Sequence, residues 1–163
     1  MAQDPKLDTV LSSITDEDRT LSEWLTTFPL AVVALDPFTY ESAWILDTAS
    51  RILGTYRGAG MRVGWLVAAD ADGARSFLGP LADEFLTFAD EDRSLIGSLG
   101  LEALPAFVYI RQDGTLGSAA EGWDPEQWRD VAAAISDVTL WNRPTIPGSG
   151  DPIAYDGTPA TTA

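Results

Sequence analysis

The 163-residue sequence contains no cysteine and no histidine. Thiol–disulfide exchange needs a thiolate nucleophile and a second thiol to resolve the mixed disulfide, so the composition excludes a dithiol redox enzyme. The same absences exclude Ser-His-Asp and Cys-His catalytic groups and zinc sites with His or Cys ligands. No metal or other cofactor is expected from the residues that remain.

Basic residues are scarce, with 10 Lys and Arg against 25 Asp and Glu and a net charge of −15. Such a surface repels phosphate backbones, so nucleic acid is not expected as a partner, whereas a basic protein segment would be attracted. No apolar run approaches the roughly 20 residues of a membrane span, and no membrane partner is expected. The first residues lack the pattern of a signal peptide, so we expect a cytoplasmic protein.

A continuous apolar run of strand length lies at residues 30–35, and two further strand-length runs, 61–69 and 106–111, are apolar apart from Arg62 and Arg111. Continuous apolarity is typical of strands that are buried on both faces of a sheet. Helical patterns cover residues 40–56, 74–84, 93–99 and 124–137, and Gln112-Asp113-Gly114 predicts a hairpin turn. The alternation predicts an α/β fold in which a mixed sheet carries helices on both faces.

The chain divides into three predicted parts. Residues 29–140 carry the alternating pattern, and residues 1–28 are predicted to be a helical extension with a first amphipathic helix over 5–14. Within that extension, Thr20 and Glu23 have the spacing of a capping box that opens a second, short helix.

Residues 141–163 form a tail rich in Pro and Gly, predicted to be either flexible or an extended arm that wraps this subunit or a partner. Its candidate anchors are Trp141, Ile146, Ile153 and Tyr155.

Three segments carry a resemblance to a known family. A buried strand leads through Phe38 into Thr39-Tyr40-Glu41-Ser42 and a helix. Gly100 to Phe107, with Pro105 inside it, is followed by an Asp-Gly hairpin, and Gly122-Trp123 precedes the last helix. Residues 30–135 therefore resemble the thioredoxin superfamily, and the extra helix and strand between residues 67 and 90 resemble its redoxin branch, the TlpA-like and peroxiredoxin-like proteins.

This resemblance implies a thioredoxin-like fold without the family's chemistry. Thr39 and Ser42 stand where the family has its Cys-x-x-Cys pair, and Val33 stands where thioredoxins have a buried acid. Pro105 corresponds to the family's cis-proline, and in the family the backbone before that proline pairs with an incoming extended peptide. The resemblance thus implies a peptide-binding face and no enzyme activity.

A fainter resemblance concerns cysteine-free, thioredoxin-like chaperones of hydrogenase maturation. It rests on Leu21-Ser22-Glu23-Trp24-Leu25 and on Asp36-Pro37 after the first buried strand. It implies a protein that holds a segment of its client.

The site residues allow two interpretations each. Thr39 and Ser42 are either part of a contact surface or, respectively, a helix cap and an exposed helix residue. Tyr40, Trp44 and Trp123 either line a peptide groove beside Pro105 or belong to the core.

The leading hypothesis is a non-catalytic protein-binding module, an assembly or maturation chaperone that holds an extended, basic segment of a partner. Its candidate binding residues are Phe38, Thr39, Tyr40, Ser42, Leu104, Pro105 and Trp123. One alternative is a structural or oligomerisation subunit whose tail and N-terminal helix make the contacts, and a homo-oligomer is compatible with either. A second alternative is an enzyme that uses Asp36 and Glu41 as an acid–base pair.

Overall fold

A computed structural model describes residues 2–15 and 17–161. The strands of the described chain are β1 (Val10–Ser13), β2 (Arg19–Thr20), β3 (Leu30–Leu35), β4 (Arg62–Val67), β5 (Leu86–Ala89), β6 (Ala103–Leu104), β7 (Ala106–Ile110), β8 (Leu116–Glu121) and β9 (Thr158–Pro159). The helices are α1 (Leu21–Trp24), α2 (Tyr40–Trp44), α3 (Leu46–Thr55), α4 (Ala71–Leu78), α5 (Leu81–Glu84), α6 (Ser94–Ser98) and α7 (Pro125–Thr139). None of these described helices has the length and apolar content needed to cross a bilayer.

The main sheet has the strand order β2-β1-β5-β4-β3-β7-β8. Strand β3 pairs in parallel with β4, which pairs in parallel with β5. Strand β7 pairs antiparallel with β3, and β8 pairs antiparallel with β7 in a hairpin at the sheet edge. Every residue of β3 is buried, as the continuous apolar run predicts.

Alternate residues of β3 face two separate hydrophobic clusters, one on each side of the sheet. Ala31, Val33 and Leu35 pack with the apolar residues of α3, α4 and α7. The other three residues of β3 pack with α1, α6 and Leu11. The predicted α/β fold, a mixed sheet with helices on both faces, is confirmed.

The helix predicted over residues 5–14 is wrong. Residues Val10–Ser13 form β1, which pairs antiparallel with both β5 and β2. Leu7 and Val10 are 42% and 55% exposed, so the apolar residues that suggested a helix do not share one buried face. The open edge of β5 offers backbone hydrogen bonds that local helical spacing cannot reveal. The short helix α1 does follow Thr20, with both hydrogen bonds of the predicted capping box.

The tail lies against its own domain. Ile146 is 4% exposed and belongs to the same cluster as α3 and α7. Further along, β9 pairs antiparallel with β6. Of the two predicted interpretations, the described part of the tail matches an extended arm that wraps its own subunit.

Candidate functional site

The turn after β3 is stabilised by the two residues that replace the cysteine pair. Thr39 caps α2, since its hydroxyl accepts a hydrogen bond from Ser42 N at 3.4 Å and donates one to Asp36 O at 2.9 Å. The Ser42 hydroxyl oxygen accepts from Asp36 N at 2.9 Å. Ser42 is fully buried, so the prediction of an exposed helix residue is wrong. Both hydroxyl groups therefore stabilise the backbone of the turn by hydrogen bonds.

Asp36 is 7% exposed, and both of its carboxylate oxygens accept hydrogen bonds. Oδ1 accepts from Phe38 N at 3.0 Å, and Oδ2 lies 2.9 Å from Arg93 Nη2 in an ion pair. Both carboxylate oxygens of Asp36 are thus held by the turn and by Arg93, and this geometry gives no support to the hypothesis of an Asp36–Glu41 acid–base pair.

Asp90 is buried directly after β5, and its carboxylate accepts hydrogen bonds from Leu95 N at 3.2 Å and Ile96 N at 3.0 Å. Burial raises the pKa of Asp90 above its usual value, and the nearby charge of Asp92 adds to this effect. Its position at the start of α6 is structural. Among residues 2–15 and 17–161, no group of three His, Cys, Asp or Glu side chains could hold a metal ion.

Three large aromatic side chains are exposed around the turn, and we call them the aromatic rim. Phe38 is 83% exposed, Tyr40 78% and Trp44 56%. Tyr40 and Trp44 are four residues apart in α2 and so lie on the same helix face. The rim is an apolar surface at the position that the resemblance gives to the redox pair.

Beside the rim, the last described part of the tail covers the edge of β6. We call residues 151–161 the strap. The strap strand β9 pairs with Ala103 and Leu104, directly before the Leu104–Pro105 peptide bond, which is cis as the resemblance implies. Trp123 N donates to Tyr155 O at 2.8 Å, and Tyr155 N donates to Trp123 O at 3.0 Å. An extended segment of the chain's own tail thus occupies the edge to which the resemblance assigns peptide pairing.

Two strap residues, Tyr155 and Ala160, pack against the domain. The Tyr155 ring packs edge-on against Trp44 at 5.5 Å between centroids, and its hydroxyl donates to Glu41 O at 2.5 Å. Burial raises the pKa of Tyr155, and the charge of Glu41 raises it further. Ala160 is fully buried, and its carbonyl accepts from Arg93 Nη1 at 2.6 Å.

The structure divides the predicted binding residues into two groups. Phe38 and Tyr40 are exposed, and Thr39 is half-buried in the turn. The buried group is Ser42, Leu104, Pro105 and Trp123. Trp123 belongs to the core, and its Nε1 donates to Pro152 O of the strap at 2.8 Å. The buried group is therefore not open to a partner in this conformation.

The predicted tail anchors also differ from one another. Ile146 and Tyr155 pack against the domain, whereas Ile153 is 92% exposed. Trp141 is 41% exposed and donates from Nε1 to Thr55 O at 2.5 Å. Sequence reasoning missed Arg93 and Ala160, because neither has a local pattern that would show their contact across 67 positions of the chain.

No family model matches the sequence, and no curated protein matches it. Solved structures do match. The DsbE protein of Chlorobium tepidum is 17% identical, with a TM-score of 0.68 over 85% of this chain and 98% of that one. A secreted disulfide oxidoreductase of Mycobacterium tuberculosis is 15% identical, with a TM-score of 0.59 over 80% of this chain and 96% of that one.

The bacterioferritin comigratory protein of Xanthomonas campestris, studied for its alkyl peroxide reduction activity, is 14% identical, with a TM-score of 0.65 over 82% of this chain and 93% of that one. Similarity at these identities shows the fold alone. The fold is thioredoxin-like and shared with redoxins, while the fainter likeness to hydrogenase-maturation chaperones stays a prediction.

Proposed function

We propose that this thioredoxin-like fold serves as a non-catalytic protein-binding module that holds an extended, basic segment of a partner protein at the aromatic rim. A role in assembly or maturation in the cytoplasm would use such a module. The observation that carries the proposal is the exposure of Phe38, Tyr40 and Trp44 together at the turn after β3.

The chemistry of the turn supports binding rather than catalysis. The chain has no cysteine, and the hydroxyls of Thr39 and Ser42 are hydrogen-bonded to the backbone of the turn. Exposed Tyr, Trp and Phe side chains supply large contact areas with few rotatable bonds, and aromatic residues are enriched at the energetic centres of protein interfaces.

The negative charge of the chain favours a basic partner at the rim. The net charge of the chain is −15, and Glu41 follows Tyr40 directly in α2. Acidic residues beside exposed aromatic rings favour Lys and Arg side chains, which gain both ion pairing and cation–π contact. A basic segment would also be drawn to the whole molecule by its field.

The alternative of a structural subunit joined through its tail has less support. Ile146 and most of the strap pack against their own domain. Of the four predicted tail anchors, Ile153 and the exposed part of Trp141 are accessible to another chain. The predicted N-terminal helix over residues 5–14 is replaced by a strand that pairs within the sheet. Homo-oligomerisation stays a prediction.

The test is selection of peptides from a random-peptide phage library by the full-length protein, followed by isothermal titration with a selected peptide. We expect peptides rich in Lys and Arg. The Phe38→Ala/Tyr40→Ala double variant should weaken their binding about tenfold or more, because it removes two exposed aromatic contacts.

The matched control is Leu140→Ala, which truncates another apolar side chain that is 90% exposed but lies at the end of α7. It should leave the affinity unchanged. Failure to select any peptide, or equal affinity for the wild type and the double variant, would contradict the proposal.

A further inference from the structure

A cavity lies at the end of β3 opposite the aromatic rim. Pro29, which lines it, directly precedes β3, whereas the rim follows β3, so a strand of 6 residues, about 20 Å long, separates the two surfaces. The cavity has a volume of about 530 Å³, and small-molecule sites usually have volumes of about 300 to 1,000 Å³. It opens between the β7–β8 hairpin and the end of α7.

Apolar groups form one wall of this cavity. Pro29 is buried, Ala59 is half-buried, and Val138 is 60% exposed near the end of α7. An apolar ligand in the cavity would remove part of the Val138 side chain from water, which favours binding. The wall therefore fits a phenyl ring or a short alkyl chain.

Tyr109 is the residue that points to a ligand. It is 2% exposed, yet its hydroxyl group has no hydrogen-bond partner among residues 2–15 and 17–161. In the same part of the chain, Trp24 Nε1 is the one fully enclosed side-chain nitrogen or oxygen without a partner, so the Tyr109 hydroxyl is not enclosed and opens into the cavity. Buried polar groups are nearly always hydrogen-bonded, so this hydroxyl marks a place for a group from outside the chain.

The Tyr109 ring is fixed by its own domain before any ligand binds. Tyr109 pairs with Ser118 across the β7–β8 hairpin, and its ring packs over Gly117, where a Cβ atom would collide with the ring. The ring also belongs to the hydrophobic cluster of α3 and α7. The hydroxyl is therefore held in one place at the cavity.

Two charged residues of the hairpin flank Tyr109. Arg111 donates from Nη1 to Thr115 Oγ1 at 3.2 Å and to Leu116 O at 3.0 Å, which leaves its Nε and Nη2 without partners in the described chain. Burial raises the pKa of Tyr109, so its hydroxyl is protonated at neutral pH. The positive charge of Arg111 affects this pKa more strongly than the negative charge of Asp113 does. The charges beside the hydroxyl thus favour an anionic group.

We propose that this cavity binds a small monocarboxylate with an apolar body. Its carboxylate accepts hydrogen bonds from the Tyr109 hydroxyl and the Arg111 guanidinium, and its body packs against Pro29 and Val138. Hydrogen bonds to a carboxylate are stronger than those to a neutral acceptor, so the site prefers an acid to its amide. The site goes beyond the aromatic rim and does not depend on a partner protein there.

The experiment is isothermal titration of the full-length protein with three ligands that share one apolar body: 3-phenylpropionate, 3-phenylpropionamide and 3-phenylpropylamine. We expect 3-phenylpropionate to bind most tightly and the amide about tenfold more weakly, because the amide loses the charge-assisted hydrogen bonds. The amine should bind more weakly still. Octanoate, a second carboxylate with a different apolar body, should also bind.

Tyr109→Phe removes the hydroxyl and keeps the ring. The hydroxyl has no partner within the described chain, so the variant should keep the stability of the wild type and bind 3-phenylpropionate about tenfold more weakly. Tyr40→Phe is the matched control, since it makes the same change at a tyrosine of the rim that is 78% exposed. It should bind 3-phenylpropionate as the wild type does.

Arg111→Gln tests the anionic preference. This variant should bind 3-phenylpropionate and its amide with about equal affinity, whereas a purely structural role of Arg111 in the hairpin would weaken both ligands alike. Arg75→Gln makes the same change in charge on α4, outside the cavity, and should keep the preference for the acid.

Failure of both 3-phenylpropionate and octanoate to bind the wild type at about millimolar concentration would overturn the inference. So would equal affinity of the wild type and Tyr109→Phe for 3-phenylpropionate, or tightest binding of the amine. The Phe38→Ala/Tyr40→Ala variant separates this proposal from that of the rim. It should lose basic-peptide binding and keep the affinity for 3-phenylpropionate.

Discussion

At the scale of single residues, Thr39 and Ser42 occupy the two positions where the resemblance to redoxins places cysteines. Their hydroxyls bond to the backbone around Asp36, so the turn keeps its shape without a thiol. The cap at Thr39 could be predicted from sequence, because capping depends on residues within one helical turn. The burial of Ser42 could not, since it depends on how α2 packs against the sheet.

Asp90 gives a prediction about pH. Burial raises its pKa above the usual 3.8, so the folded state is favoured while Asp90 is protonated, and this contribution is lost as pH rises from about 3.8 through the folded-state pKa. Asn cannot ionise. The free energy of unfolding of Asp90→Asn relative to wild type should therefore shift in favour of the variant between about pH 4 and about pH 7.

Urea unfolding of both proteins at the two pH values measures this shift. Carboxyl groups that do not interact with Asp90 titrate alike in both proteins and cancel in the difference. A difference that does not change with pH would show that Asp90 ionises as freely in the folded protein as in the unfolded one.

At the scale of elements, the buried strands were the most predictable parts of the fold. The apolar runs over 30–35 and 106–111 became β3 and β7, because strands buried on both faces need apolar residues at every position. The helix predicted over 40–56 divides at Ile45 into α2 and α3. Apolar residues at 5–14 have helical spacing, but Val10–Ser13 form a strand. This outcome depends on pairing with β5, which is distant in sequence.

The start of α7 allows a test of whether a single capping side chain stabilises a helix. The Asp124 carboxylate accepts from Glu126 N at 3.1 Å and from Gln127 N at 3.4 Å, and Pro125 occupies the first turn. Asp124→Ala leaves these donors without their partner and should lower the free energy of unfolding by about 1 kcal/mol.

Asp130→Ala is the control for this prediction. Asp130 lies exposed in the middle of α7, so the same change in charge and size should alter stability by less than about 0.5 kcal/mol. Guanidinium unfolding monitored by circular dichroism compares the three proteins. Equal stability of the two variants would mean that the cap does not stabilise the helix.

At the scale of the whole molecule, the tail makes contacts from the core to the β6 edge. Ile146 is 4% exposed within the cluster of α3 and α7, whereas Ile153 is 92% exposed. Ile146→Ala should reduce the free energy of unfolding by about 2 to 5 kcal/mol, because it leaves a cavity in the core. Ile153→Ala, the identical substitution on the strap, should change it by less than about 0.5 kcal/mol.

Chemical unfolding measures both variants against the wild type. If Ile146→Ala were as stable as Ile153→Ala, the tail before the strap would not belong to the cooperative core.

The sequence by itself determined that thiol and imidazole chemistry is absent and that three strands are buried, because composition and continuous apolar runs carry this information locally. It also supported the resemblance that places Pro105 beside a peptide-pairing edge. Only the tertiary structure decided that Val10–Ser13 is a strand, that Trp123 is buried and that the chain's own tail covers the edge. These outcomes depend on contacts such as Thr158 with Leu104 and Arg93 with Ala160, which join residues 54 and 67 positions apart and leave no periodic trace in the sequence.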